Sequence, residues 1–155
     1  MNFKEQVQKL VDEALSEDPS LFLIDLRIGD DNSIHIELDG DQGVSLEKCM
    51  NVSRKVEHNL DREEQDFSLE VSSSGVGAPL QLPRQFIKNQ GRKIAITDLN
   101  DRIVEGTLTA ANEEEFVVQW KTREPKPIGK GKVTVTKTEK YTYGAYKTAK
   151  IMVSI

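Results

Sequence analysis

The chain has 155 residues, 37% apolar and 30% charged, with a net charge of −5 and one cysteine. The regular recurrence of apolar residues excludes wholesale disorder, and a single cysteine excludes an internal disulfide. No run approaches the roughly twenty apolar residues of a membrane-spanning helix, and the first residues lack a signal-peptide pattern, so we expect a cytoplasmic protein without a membrane partner.

The first half of the chain predicts two helices and three strands. Apolar residues at steps of three and four predict a helix over about 3–16. Alternating residues over 22–28 and 34–38, separated by the turn residues GDDN, predict a β-hairpin. Ser45 is a suitable N-cap for a second helix, and Phe67, Leu69 and Val71 predict a third strand. The apolar stripe of the second helix is assigned to Leu46, Cys49, Met50, Val56 and Leu60. This order predicts a small sheet covered on one face by two helices.

From residue 91 the apolar period becomes two. The alternation predicts five short strands, at 94–96, 104–108, 116–120, 133–135 and 151–155. Turn residues separate them, including the Pro/Gly stretch 125–131. Five short strands in about 65 residues favour a small closed or half-closed barrel, because closure removes exposed edges.

The sign of the charge changes along the chain. Residues 1–80 carry 7 Lys/Arg against 18 Asp/Glu, and residues 81–155 carry 14 against 8. The balances of −11 and +6 favour two domains with different partners. We therefore predict an acidic domain over 1–80, an interdomain joint over 81–90 and a basic domain over 91–155.

The residues give little support for a catalytic site, a metal site or a cofactor site. His35 and His58 are predicted to be surface residues, and Cys49 lies on an apolar stripe, which favours core packing over nucleophilic chemistry. Residues 39–43, DGDQG, lack two ligands of a calcium loop. The serines at 72–74 do not fit the G-x-S-x-G pattern, and no Gly-rich phosphate loop is present. We predict a protein that is not an enzyme and has no metal and no cofactor.

The stretch KTREPKPIGKGK, residues 121–132, is a basic loop between two strands. It is either a solvated hairpin tip or an arm that follows nucleic-acid phosphates. Its candidate RNA contacts are Lys121, Arg123, Lys126, Lys130 and Lys132. The neighbouring Trp120 is either a core residue, which we favour, or a platform for a nucleobase.

The acidic half favours a basic protein partner. Opposite charge speeds the encounter between two proteins, whereas the same acidic surface repels a polyanion. The candidate contacts are Asp30, Asp31 and Asp39. A partner that combines basic protein with RNA, such as the ribosome, fits both halves.

Two stretches carry a family resemblance. GVSLEKCMNVSRKVEHNLD, residues 43–61, and FSLEVSSSGVGAPL, residues 67–80, resemble the ribosome maturation factor RimP family. The matching positions are Gly43, Cys49, Ser53, Leu60, Asp61, Leu69, Glu70, Val71, Ser72, Ser73, Gly75, Pro79 and Leu80. Ser74 replaces the usual Pro, and Gly77-Ala78 replace a common Asp-Arg pair, so no role of that Arg is carried over.

The resemblance implies an α+β fold and a role in ribosome assembly. The fold would be an N-terminal KH-like α-β-β-α-β domain followed by a C-terminal Sm-like or SH3-like small β-barrel. The partners would be the immature small ribosomal subunit, small-subunit ribosomal protein number twelve and rRNA, and we expect a monomer.

The motif residues at the predicted interdomain turn are Glu70, Ser72, Ser73, Gly75, Pro79 and Leu80. Gly75 and Gly77 would supply backbone angles that other residues resist, and Pro79 and Pro83 would stiffen the exit. Two alternatives to an assembly factor stay open. One is a stand-alone RNA-binding regulator, and the less favoured one is a hydrolase that uses the serine cluster.

Overall fold

A computed structural model describes residues 2–74 and 77–152, so Gly75 and the predicted strand positions 153–155 lie outside the described residues. The chain divides into two compact units, 1–74 and 75–155. Within the described ranges, no helix is both long enough and apolar enough to cross a membrane.

Unit 1 contains two helices and three strands in the predicted order. They are α1 (Phe3–Ser16), β1 (Leu21–Ile28), β2 (Ser33–Gly40), α2 (Leu46–His58) and β3 (Ser68–Ser73). The sheet order is β1-β2-β3, with β1 and β2 antiparallel and β2 and β3 parallel. Parallel neighbours need a long crossover, which α2 provides.

Local capping fixes where both helices of unit 1 begin. The Asn2 side chain accepts a hydrogen bond from the Glu5 backbone N–H at 2.8 Å. Ser45 caps α2 as predicted, since its hydroxyl oxygen accepts from the Lys48 N–H at 3.2 Å. Each cap satisfies a backbone donor that the first turn of a helix leaves unpaired.

The core of unit 1 lies between the helices and one face of the sheet. Its residues include Val7, Val11, Ile34, Ile36, Leu38, Val52 and Val56. Strand residues two apart share a face, so the three apolar residues of β2 all point toward the helices. The opposite face carries polar side chains except at its buried end, where Phe22 lies opposite Asp39.

The predicted apolar stripe of α2 is wrong at two positions. Leu46 is 78% exposed and Met50 is 43% exposed, whereas the buried residues of α2 are Cys49, Val52 and Val56. Each helical residue turns by about 100°, which places Leu46 and Met50 at the flank of the buried arc. A periodic pattern does not show how wide that arc is.

Unit 2 contains one short helix and five antiparallel strands. They are α3 (Pro83–Lys88), β4 (Lys93–Thr97), β5 (Ile103–Ala111), β6 (Glu115–Pro125), β7 (Lys132–Thr142) and β8 (Thr148–Ile151). The sheet order is β7-β6-β5-β4-β8. The two end strands do not pair with each other within residues 77–152, so the described ladder is open rather than closed.

An aromatic cluster fills the core of unit 2. Phe86 stacks on Phe116 with ring centroids 4.5 Å apart, and Phe116 stacks on Tyr141 at 5.2 Å. Burial raises the pKa of both Tyr141 and Tyr143 to about 12. Both side chains therefore stay neutral at physiological pH.

The predicted joint at 81–90 is instead largely the helix α3, which belongs to unit 2. Pro83 stands at its first position, where a missing N–H costs nothing, and Phe86 is fully buried in the second core. The Gln85 side-chain oxygen accepts from the Gln81 N–H at 2.7 Å and the Leu82 N–H at 3.1 Å. A helix of six residues is too short to show a periodic pattern.

Candidate functional site

The outer half of the β6–β7 hairpin extends past the rest of its sheet. β6 pairs with β7 along its whole length, from Glu115 to Pro125. It pairs with β5 only from Phe116 to Gln119. Residues 120–137 are therefore a two-stranded extension, which we call the basic arm.

The cross-strand register places three basic side chains on one face of the basic arm. Arg123 lies opposite Thr134, Lys121 opposite Thr136, and Lys132 opposite Pro125. Directly opposite residues of an antiparallel pair share a face, as do residues two apart on one strand. Lys121, Arg123 and Lys132 thus lie on the same face, with two threonine hydroxyls beside them.

The other two predicted cations lie at the tip of the basic arm. Lys126 and Lys130 are exposed, and the turn closes through the Lys126 N–H, which donates to the Gly131 carbonyl at 3.1 Å. Gly129 and Gly131 have φ of +88° and +93°, which favours glycine. In the described part of the chain, none of the five predicted RNA-contact cations has a carboxylate within ion-pair distance.

The predicted acidic contacts divide into two exposed residues and one buried residue. Asp30 and Asp31 lie in the β1–β2 turn. The Ser33 hydroxyl and N–H both donate to Asp31 Oδ1, at 2.7 and 3.1 Å, and these bonds lower the pKa of Asp31. Asp39 is only 7% exposed, and the Gly40 N–H donates to its carboxylate at 2.8 Å. Asp39 is therefore less accessible to a partner than Asp30 and Asp31, because the end of β2 is buried on both faces.

The outer face of the unit 1 sheet carries further charged residues beside the predicted acidic contacts. The register aligns Arg27, His35 and Glu70 in one row across the three strands. A second row holds Asp25, Glu37 and Ser72, and the two rows line a groove of about 250 Å³. The same alternation that placed His35 opposite the core also places Asp25 and Glu37 there, so the signal was present in the sequence.

One ion pair neutralises part of this outer face, since Arg27 lies 3.2 Å from Asp25. His35 Nδ1 lies 3.2 Å from Glu70, which is a contact between an imidazole nitrogen and a carboxylate. Glu37 has no such partner within residues 2–74 and 77–152. It is therefore the acid of this face that is best placed to receive a cation from outside.

The family motif at 69–80 contributes to both units. Glu70, Ser72 and Ser73 lie on β3, where they pair with β2. Pro79 bridges to Lys150 on β8, and the Leu80 N–H donates to the Ala149 carbonyl at 2.8 Å. Gly77 has a φ of +88°, as expected for a glycine that sets the turn.

The candidates for catalysis and metal binding do not assemble into a reactive site. His35 and Ser72 line the same groove, yet the described residues show no hydrogen bond between a histidine and a serine. Burial raises the pKa of the Cys49 thiol, which opposes nucleophilic use. No group of three or more His, Cys, Asp or Glu side chains within the described ranges is arranged to hold a metal ion.

An α+β chain with an acidic unit and a basic unit, each exposing its excess charge, has the surfaces of a protein that binds other macromolecules.

The RimP N-terminal domain family matches residues 7–77. The ribosome maturation factor RimP of Flavobacterium psychrophilum is 50% identical over 153 residues, or 99% of both chains. That of Christiangramia forsetii is 51% identical over 151 residues, covering 97% of this chain and 98% of the relative. That of Porphyromonas gingivalis is 39% identical over 83 residues, or 54% of both chains. The chain belongs to the RimP family.

Proposed function

We propose that the protein is a ribosome maturation factor that assists late assembly of the small ribosomal subunit. The observation that carries this proposal is the near full-length identity of about half with two relatives that bear that name. The division of charge supports a mechanism with two contacts. The acidic unit binds a basic ribosomal protein, and the basic arm binds nearby rRNA phosphates.

The basic arm suits phosphate contacts for a physical reason. Within the described residues, its five predicted contact cations have no carboxylate partner to displace, so RNA binding at these positions breaks no ion pair. Each phosphate that a lysine or arginine neutralises releases counterions, which makes affinity fall as salt rises. Lys121, Arg123 and Lys132 act from one face, and Lys126 and Lys130 act from the tip.

The acidic unit suits a cationic protein segment. Asp30 and Asp31 in the β1–β2 turn steer the partner during encounter, and Glu37 on the outer sheet face receives a Lys or Arg. The family resemblance supports small-subunit ribosomal protein number twelve as this partner. It also supports a KH-like assignment for unit 1 and an Sm-like assignment for unit 2, with binding rather than catalysis as the activity of a cytoplasmic monomer.

The unit boundaries modify the proposed domain division. The acidic domain ends near residue 74, and the basic domain begins before α3. The linking segment would end before Pro79, because Pro79 and Leu80 already pair with β8.

Sedimentation of cell extract through a sucrose gradient tests the proposal. We expect the protein to comigrate with immature small subunits and to be absent from assembled ribosomes. Replacing Lys126, Lys130 and Lys132 with Glu should weaken subunit binding and flatten its salt dependence. The matched control replaces Lys4, Lys9 and Arg54, which are exposed in unit 1, with Glu. It changes the net charge equally but leaves the basic arm intact.

The outcomes separate the alternatives. Equal loss of binding in both triple variants would remove the basic arm from the mechanism and leave only net charge. A protein that stays at the top of the gradient at low salt, yet binds naked RNA in a gel shift, would instead support a stand-alone RNA-binding regulator.

A further inference from the structure

A groove lies where β5 and β6 separate. The ladder between them ends at Thr107 opposite Gln119. Beyond that pair, β5 continues along β4 only, and β6 continues along β7 only. The fork encloses a groove of about 340 Å³, which we call the fork groove, and its lining includes Lys93, Trp120 and Lys121. Small-molecule sites begin at about 300 Å³, so one nucleobase is an appropriate occupant.

Trp120 divides its surface between the core and the fork groove. Phe116 and Val118, on the same face of β6, are fully buried. Trp120 is next in this series and packs against the same core, yet it remains only partly buried and lines the groove. The sequence alone favoured a core role, and the structure shows a residue that is both core and surface.

Gly106 keeps the opposite wall of the groove free of a side chain. A Cβ at this position would lie 2.5 Å from the Gln119 carbonyl oxygen. Only glycine allows the two backbones to approach this closely. The β5 wall is therefore backbone at Gly106, between Glu105 and Thr107.

The electrostatics of the fork groove favour an anion. Lys93 and Lys121 are both exposed, and neither has a carboxylate partner among the described residues. Glu105 is the one acid among the lining residues of the groove that the structure describes. Lys121 also belongs to the basic arm, so the groove is continuous with a surface of unpaired cations. A cationic peptide would meet two lysines here, whereas a phosphate backbone would be attracted.

We propose that the fork groove binds one base of a single-stranded RNA segment, with the base against Trp120 and the flanking phosphates at Lys93 and Lys121. This inference rests on the proposed function and adds to it. The basic arm recognises phosphates of any RNA, whereas the fork groove requires an unpaired base. Aromatic side chains accept bases of any sequence, so the groove selects single strands over duplexes rather than one base over another.

Trp120 is the only tryptophan of the chain, so its fluorescence reports directly on the fork groove. The experiment titrates the full-length protein with hexauridylate, with a blunt RNA duplex of equal phosphate number and with a short oligolysine peptide. Binding is followed independently by the anisotropy of labelled ligands. We expect saturable quenching by hexauridylate, with little change on binding the duplex or the peptide.

Variants then separate the groove from the basic arm. K93Q combined with K121Q should weaken hexauridylate binding about tenfold at low salt. Trp120→Leu should weaken it by about 5- to 150-fold, the range for loss of one base–aromatic stack, and leave duplex affinity unchanged. Trp120→Phe should restore part of the loss. The triple change K126Q, K130Q and K132Q should lower affinity for both RNAs while leaving the quenching at saturation intact.

Binding of hexauridylate without any change in Trp120 fluorescence would overturn the inference, as would equal quenching by the duplex or stronger quenching by the peptide. If Trp120→Leu does not fold, the wild-type titration and the double lysine variant still test whether the fork groove binds a base. Failure of the proposed function has a different signature, which is absence of the protein from immature small subunits whatever the fluorescence shows.

Discussion

The two units of the protein differ in which of their charged side chains form ion pairs. Unit 1 has seven basic residues, and five of them lie within ion-pair distance of a carboxylate, namely Lys9, Arg27, Lys48, Lys55 and Arg62. Its few cations thus anchor its own surface, and the excess acids remain for a partner. Unit 2 pairs Lys137, Lys140 and Lys147 with nearby acids, but among the described residues the five predicted RNA-contact cations of the basic arm have no carboxylate partner. The unpaired charges, rather than the net charge alone, indicate which surface binds.

The largest expected effect is a loss of stability from a substitution in the core of unit 2, compared with a substitution at the tip of its basic arm. Phe116→Ala should lower the free energy of unfolding of unit 2 by about 3–5 kcal/mol, because it leaves a cavity in the aromatic cluster. Denaturant unfolding followed by Trp120 fluorescence measures this change. Ile128→Ala is the control, since Ile128 is 89% exposed at the arm tip and should cost less than about 0.5 kcal/mol. Similar costs for the two variants would contradict the core assignment.

A second, smaller effect distinguishes two kinds of glycine within unit 2. Gly106→Ala should cost about 1–3 kcal/mol, because the new Cβ overlaps the Gln119 carbonyl and the strands must move apart. Gly131 has a positive φ but open space around an added Cβ. Asn tolerates this backbone conformation, so Gly131→Asn should cost less than about 0.5 kcal/mol. The same fluorescence-monitored unfolding measures the stability cost of both substitutions. A larger cost at Gly131 than at Gly106 would contradict the assignment of steric overlap to Gly106 and of open space to Gly131.

The sequence predicts most of the fold because alternation and helical periodicity are local. It places α1, the β1–β2 hairpin, the Ser45 cap and the first four strands of unit 2 correctly, whereas the fifth strand, β8, ends at Ile151, where the predicted strand begins. It does not predict α3, whose six residues are held by the buried side chains of Gln85 and Phe86 rather than by a pattern. The prediction that Leu46 and Met50 belong to the buried stripe of α2 is wrong for a related reason, since burial depends on which neighbours cover a helix flank.

The candidate site was only partly predictable. The basic character of residues 121–132 is visible in composition, whereas the shared face of Lys121, Arg123 and Lys132 needs the register of β6 against β7. Asp39 shows the opposite case, because an acid in an alternating strand is expected at the surface and here is buried at the strand end. No local sequence pattern predicts the fork groove, since the groove depends on where the pairing of β5 with β6 ends.

A third prediction concerns unit 1. Ser45→Ala should lower the free energy of unfolding of unit 1 by about 1 kcal/mol, because the Lys48 N–H loses its acceptor at the start of α2. Far-UV circular dichroism during denaturation follows this unit, which holds the two long helices. Ser45→Asn keeps a capping oxygen and should behave like the wild type. A loss as large in Ser45→Asn as in Ser45→Ala would mean that the cap does not fix the helix start.

The smallest expected effect is the pH dependence contributed by Asp31. Its folded-state pKa lies below the ordinary value of 3.8, chiefly because the Ser33 hydroxyl donates to the carboxylate. A lowered pKa adds stability above the unfolded-state value, and this contribution disappears as the pH falls through the lower folded-state value. Asp31→Asn keeps an acceptor oxygen but does not titrate, so the stability difference between wild type and variant should shrink as the pH falls below about 4.

The control for this pH dependence is Asp30→Asn, one residue away in the same turn. Asp30 is exposed and accepts no hydrogen bond from any described residue, so the difference between this variant and the wild type should stay nearly constant with pH. Unfolding of unit 1 followed by circular dichroism at several pH values compares the three proteins. Since Asp31 is exposed to solvent, added salt should weaken the charge part of its effect. If Asp30→Asn and Asp31→Asn gave the same acid profile, the turn hydrogen bonds would not hold the Asp31 charge, and only its exposure would suit it for meeting a basic partner.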